Sequence, residues 1–124
     1  MWQVVRERNW PALEIDVFAS PHNNLLPLFW TEREDALQQG LLRDSPLWMN
    51  PPFHLLMAVL RKLRHEGGHV MVLFPSWSPT AFGLRQLASD LVRLPRTPLF
   101  LRQGIDKMPT PPWETDIVLI LHRP

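Results

Sequence analysis

Apolar residues along this chain follow two patterns, unbroken short runs and longer stretches where they return every third or fourth position. Residues 70–74, Val-Met-Val-Leu-Phe, and 116–122, Asp-Ile-Val-Leu-Ile-Leu-His, are runs of the first kind and predict strands buried on both faces. Residues 13–18 and 26–31, rich in bulky and β-branched side chains, predict two earlier strands, and residues 46–49 and 99–101 two short ones. The second pattern is clearest after residue 53, where Leu56, Val59, Leu60 and Leu63 share one helical face and Arg61, Lys62, Arg64 and His65 lie towards the other. Gly67-Gly68 predicts the end of that helix in a left-handed cap. A further helix is expected to open with Ser78 as N-cap and Pro79 at its first position, with Phe82, Leu87, Ala88 and Leu91 as its apolar positions. Residues 34–42 predict another helix, residues 2–8 a short one ending before Asn9-Trp10-Pro11, and residues 106–113 a Pro-rich loop.

Strands alternating with helices predict a single α/β domain over residues 1–124, Rossmann-like, with a mostly parallel sheet and helices on both faces. In such sheets ligands sit beyond the carboxyl ends of the strands, where the strand order reverses. Residues 16–20, 50–53 and 75–78 all fall at such ends and are expected to share one rim.

Composition narrows the chemistry. The net charge of +1 over 124 residues gives no global basic field, so any nucleic-acid contact has to be local. The absence of cysteine excludes disulfides and thiolate metal sites, and the five histidines have no ligand spacing, so no metal is expected. There is no Ser/His/Asp arrangement in a supporting context and no Gly-rich phosphate motif. No apolar run approaches the ~20 residues of a membrane-spanning helix, so no membrane partner is expected. The amino terminus lacks the layout of a signal peptide, which places the expected location inside the cell, nuclear or cytoplasmic, with an organelle left open. Arg61, Lys62, Arg64 and His65 read as a solvated helix face.

Asn50-Pro51-Pro52-Phe53 carries the most specific chemistry. An Asn side-chain oxygen and a proline carbonyl can both accept hydrogen bonds from an exocyclic amine and draw its lone pair out of the ring towards a methyl donor. Two prolines stiffen the loop, because each fixes φ and donates no N–H. The Phe53 ring offers a face on which a flipped-out base can stack. The same four residues also read as an ordinary strand-to-helix connection with prolines near a helix start.

The surrounding motifs resemble those of phage-type Dam DNA adenine methyltransferases. Asp16-Val-Phe-Ala-Ser20, Asn23, Pro27, Thr31 and Glu34-Asp-Ala-Leu37 come in that family's order and spacing, followed by Asn50-Pro-Pro-Phe53 and residues 70–75. The chain is most similar to the Dam-like segment downstream of the RNase H region in polyproteins of tyrosine-recombinase (DIRS-type) retrotransposons. That resemblance rests on Asp16-Val-Phe-Ala-Ser20, Pro51-Pro-Phe53 and Pro75-Ser-Trp77, and spans roughly residues 10 to 104. It implies a methyltransferase-type fold, S-adenosylmethionine as methyl donor and the N6 amine of adenine in DNA as target. It further implies that Asp16, Phe18, Ala19 and Ser20 line the donor pocket, and that Asn50, Pro51, Pro52 and Phe53 hold the target, with Phe53 or Trp77 stacked on the base. By analogy with other α/β nucleotide sites, Glu32, Glu34 or Asp35 accepts from the ribose hydroxyls, and Asp35 is taken as the candidate. The alternative is a retroelement-derived domain without catalysis. It would hold a protein partner through a surface rich in Trp and Pro, including Trp2, Trp113 and residues 109–112.

Overall fold

The computed structural model describes residues 6–11, 15–17, 28–29, 37, 40–42, 46–94, 101–102, 106–107 and 113–123. Among the described residues there are eight strands, β1 (Ile15–Val17), β2 (Leu28–Phe29), β3 (Leu47–Met49), β4 (Gly68–Pro75), β5 (Asp90–Leu94), β6 (Leu101–Arg102), β7 (Asp106–Lys107) and β8 (Thr115–His122). Two α-helices, α1 (Leu56–Glu66) and α2 (Ala81–Leu87), lie among them, and a 3-10 turn at Phe53–Leu55 leads into α1. Six strands form one sheet in the order β2-β1-β3-β4-β8-β5, while β6 and β7 pair separately.

The side chains of the central strands divide by the two-residue period of a pleated strand. On one face Leu47, Met49, Val70, Val72, Phe74, Val118 and Ile120 form a single core with the apolar stripes of α1 and α2. On the other, Trp48, Met71, Leu73, Ile117 and Leu119 pack with Leu94 and Trp10. The β4–β8 register enforces the division, setting Val70 opposite Ile120, Met71 opposite Leu119 and Val72 opposite Val118. Burying each such Leu, Ile or Val contributes about 1.5–3 kcal/mol, so both faces are needed to hold the sheet.

The expected Rossmann-like sheet, mostly parallel with helices on both faces, is corrected on both counts. β1–β2, β1–β3 and β3–β4 are parallel, with registers of two or three residue pairs each. β8 runs antiparallel to both its neighbours over eight and five pairs, so the longest ladders in this mixed sheet are antiparallel. α1 and α2 both pack on one face, while on the other Trp10 packs against the sheet just after residues 6–7, the described part of the short helix expected over residues 2–8. An apolar run buried on both faces reports burial without reporting direction, which is why β8 reads equally well either way round.

α1 follows its expected stripe, with Leu56, Val59, Leu60 and Leu63 buried. It stops at Gly67, whose φ of 78° lies where a side chain is strained and whose N–H bonds to the Leu63 carbonyl at 3.0 Å. β4 starts at the next residue, and a Cβ on Gly68 would stand 2.6 Å from Leu63 Cδ2 and 3.0 Å from Leu41 Cβ. α2 departs from expectation at both ends. Ser78 makes a turn that precedes the helix, its Oγ accepting from Thr80 N–H at 3.3 Å, and the helix begins at Ala81. Leu84 is buried, whereas Phe82 is 70% exposed. The helix ends at Leu87, and residues 90–94 form β5 instead of a last turn. Residues 106–107, expected in a loop, pair with β6. Residues 40–42 are irregular rather than helical, and the Leu41 carbonyl accepts from His69 N–H at 2.8 Å. At the amino end Asn9 has φ 55°, turning the chain so that Trp10 enters the core.

Leu63→Ala is expected to cost about 3–4 kcal/mol, since Leu63 is fully buried against Gly68 and the site cannot collapse without moving β4. Met57→Ala, on the exposed side of α1, is expected to change stability by less than about 0.5 kcal/mol. Urea midpoints of the two variants beside the parent check this, and equal losses would mean that α1 is not seated through the Leu63 face.

Candidate functional site

The strand order reverses between β1 and β3. From β1 the chain adds β2 on one side, and from β3 it adds β4 on the other. The parallel register sets Asp16 beside Trp48 and Val17 beside Met49, so the two carboxyl ends open on the same rim. Asn50 follows directly and is exposed. Pro51 is buried and Pro52 half-buried, which anchors the loop beneath its exposed neighbours. The Pro52 carbonyl accepts from Leu55 N–H at 2.9 Å and starts the 3-10 turn.

β4 carries the chain past this point to Pro75, which is paired with Thr115 at the start of β8. Beyond that pair, Ser76 N–H bonds to the Glu114 carbonyl at 3.0 Å, and the next residue outward on each side is a tryptophan. Trp77 and Trp113 meet edge to face with ring centroids 5.4 Å apart at 85°. Phe53 completes the group, 5.9 Å from Trp77 at 83° and 5.5 Å from Trp113 at 59°. Phe53 is 54% and Trp77 55% exposed, so the cluster offers aromatic surface to solvent beside the Asn50 loop. Edge-to-face contacts at these distances stabilise such a cluster by about 0.5–1.5 kcal/mol per pair beyond area burial.

Asn50, Pro51, Pro52, Phe53 and Trp77 are thus brought to one rim. Asp16 is described through its backbone alone, and there it stands next to Trp48. Phe18, Ala19, Ser20 and Asp35, with Glu32, Glu34, Trp2 and residues 109–112, lie outside the described residues. Trp48 points away from the helices and is fully buried with Met71 and Ile117. Trp113, weighed in the sequence as part of a partner surface, is half-buried and joins Phe53 and Trp77. Among the described residues no group of three His, Cys, Asp or Glu side chains is placed to hold a metal ion. Nor is any helix there long and apolar enough to cross a membrane.

Sequence reasoning missed the polar cluster behind this rim. Asp116 is fully buried, opposite Phe74 in β4 and Arg93 in β5. Its Oδ1 accepts from Ser76 Oγ and Arg93 Nε, both at 2.9 Å. Its Oδ2 accepts from Arg85 Nε at 2.9 Å and Arg85 Nη2 at 2.7 Å. Burial alone pushes the Asp116 carboxyl up; the hydrogen bonds from Arg93, Arg85 and Ser76 outweigh it and hold the group below its ordinary value. The available signal was one carboxylate inside an apolar run, since a buried charge needs partners. A second carboxylate, Asp90, pins the opposite face, accepting from Trp10 Nε1 at 2.7 Å and Arg8 Nη1 at 2.8 Å. The Trp10 hydrogen bond is the main reason its carboxyl also sits below the usual range.

Comparison with family models, curated proteins and solved structures finds no match to this chain.

A carboxyl with a depressed folded pKa contributes stability that is present above its unfolded value, near ~3.9, and is lost as pH falls through the folded value. Asp116→Asn is therefore expected to lower stability by about 2–3 kcal/mol at neutral pH, with the deficit shrinking as acid titrates the parent below about pH 4. Urea unfolding of both proteins across that range checks the sign. A deficit that stays constant down to strong acid would mean that Asp116 is not ionised in the native state.

Proposed function

We propose that this protein is a methyltransferase-like domain that uses S-adenosylmethionine and acts on an exocyclic amine, most specifically the N6 amine of adenine in DNA. The observation that carries the proposal is the adjacency of the β1 and β3 carboxyl ends where the strand order reverses, with Asn50 exposed and Phe53 open beside it. Ordered resemblance to Dam-like segments of DIRS-type retrotransposons supports the same reading. Asp16, Phe18, Ala19, Ser20 and Asp35 are the residues assigned to hold the donor, and the described part of the rim fits this insofar as β1 delivers Asp16 to it. When bound, the donor supplies an electrophilic methyl group on a sulfonium. Asn50 Oδ1 and the Pro51 carbonyl accept from the N–H groups of the amine and turn its lone pair out of conjugation. Phe53 or Trp77 stacks on the base, and the amine releases its proton to water after transfer, so no metal and no strong base are needed. Orientation of this kind can supply several kcal/mol of the barrier reduction.

The exposed aromatic surface also favours the second reading, a retroelement-derived domain that has lost catalysis and keeps this rim for a protein partner. The two readings separate on donor binding. Calorimetric titration with S-adenosylmethionine is expected to show micromolar binding that Asp16→Ala abolishes and Asn50→Ala retains. Methyl transfer to adenine-containing DNA is expected to fall by about 10²–10³-fold in Asn50→Ala, the usual cost of removing one preorganised hydrogen-bonding group from a reacting centre. No binding at millimolar donor would sink the methyl-transfer reading and leave the partner reading.

A further inference from the structure

The Asp116 cluster lies directly behind the aromatic rim, and its bonds reach that rim at two points. Ser76, the residue before Trp77, is held three ways. Its Oγ donates to Asp116 Oδ1 at 2.9 Å, its carbonyl accepts from Arg85 Nη2 at 2.8 Å, and its N–H donates to the Glu114 carbonyl at 3.0 Å. Glu114 is the residue after Trp113, and Asp116 follows it by two positions. Trp77 therefore follows a residue that this buried carboxylate holds by its side chain and, through Arg85, by its carbonyl, and Trp113 precedes the residue whose carbonyl Ser76 N–H holds. Arg93 closes the other side, 2.9 Å from Asp116 and 3.7 Å from the Glu114 carboxylate. Such an arrangement exceeds what the sheet needs, since β4 and β8 are already paired from Gly68 to Pro75. A hydrophobic residue at 116 would continue the apolar run of β8, but it would leave Ser76 and Arg85 without their acceptor.

We infer that Asp116 is a positioning residue for the aromatic rim. Through Ser76 and Arg85 it sets the edge-to-face geometry of Trp77 and Trp113, and those two rings fix where the Phe53 face stands relative to Asn50. Its link to substrate rests on the methyl-transfer reading, whereas the link from Asp116 to ring geometry does not.

Two indoles 5.4 Å apart couple their electronic transitions and give a paired band in far-ultraviolet circular dichroism, which reports ring orientation rather than stability. Trp77→Phe and Trp113→Phe assign that band. Asp116→Asn keeps the shape of the side chain and removes its charge, while Ser76→Ala removes one arm and leaves Asp116 paired with both arginines. The band is expected to fall by about twofold or more in each, since losing supporting hydrogen bonds loosens a site by roughly 1 Å. Asp116→Asn decides the matter if it unfolds cooperatively, and Ser76→Ala decides it otherwise. A full-amplitude band in the deciding variant overturns the inference. Titration of the parent with S-adenosylmethionine and an adenine-containing oligonucleotide runs alongside. A reduced band in the variant with no binding by the parent upholds the positioning role and sinks the methyl-transfer reading instead.

Discussion

Burial of β4 on both faces is the constraint from which the rest of this fold follows. A strand whose alternate side chains all leave water obliges the chain to cover the sheet twice. α1 and α2 do so on one side, while on the other Trp10 packs over Trp48, Met71, Leu73, Leu94, Ile117 and Leu119 of the sheet. The same constraint places β8 between β4 and β5, where its own two apolar faces extend both cores. One polar residue interrupts that strand on the helix face, and there Asp116 binds groups from α2, β5 and the loop after β4.

The elements legible in the sequence are those whose periodicity has one reading. α1 is one, because Leu56, Val59, Leu60 and Leu63 fit a helix and nothing else. β4 and β8 are others, because their apolar runs are too long and too continuous for a loop. Legibility fails where the spacing of one element runs on into another. Leu87, Ala88 and Leu91 keep a helical interval, yet Leu91 pairs with Val118 in a ladder that only the folded sheet can offer. Phe82 is one of the helix's expected apolar positions, yet Leu84, two residues on, is the one that meets the core. The direction of β8 was illegible, since it depends on where the chain re-enters the sheet.

The candidate site divides in the same way. Asn50 to Phe53 stood out because two prolines after an asparagine at a strand end are chemically pointed, and they do reach the rim. Trp113 could not be placed from the sequence, because its approach to Phe53 depends on β8 running antiparallel beside β4. Arg85 and Arg93 belong to no motif in the sequence, and both turn to the same carboxylate. The parts of the site that depend on local chemistry were visible, and those that depend on strands distant in sequence were not.

The place of β8 in the sheet bears on how the molecule assembles. Its residues come after every other described strand in sequence, yet it sits inside the sheet with a partner on each side. During synthesis β4 and β5 therefore wait, their inner edges unpaired and their apolar faces half covered, until residues 115–122 arrive to join them. Closing a sheet through its last strand requires contacts far apart along the chain, which slows folding and lengthens the time that sticky edges are open to other molecules. For this protein the hazardous interval of its life is the one before β8 slots in, when a chaperone has most to protect.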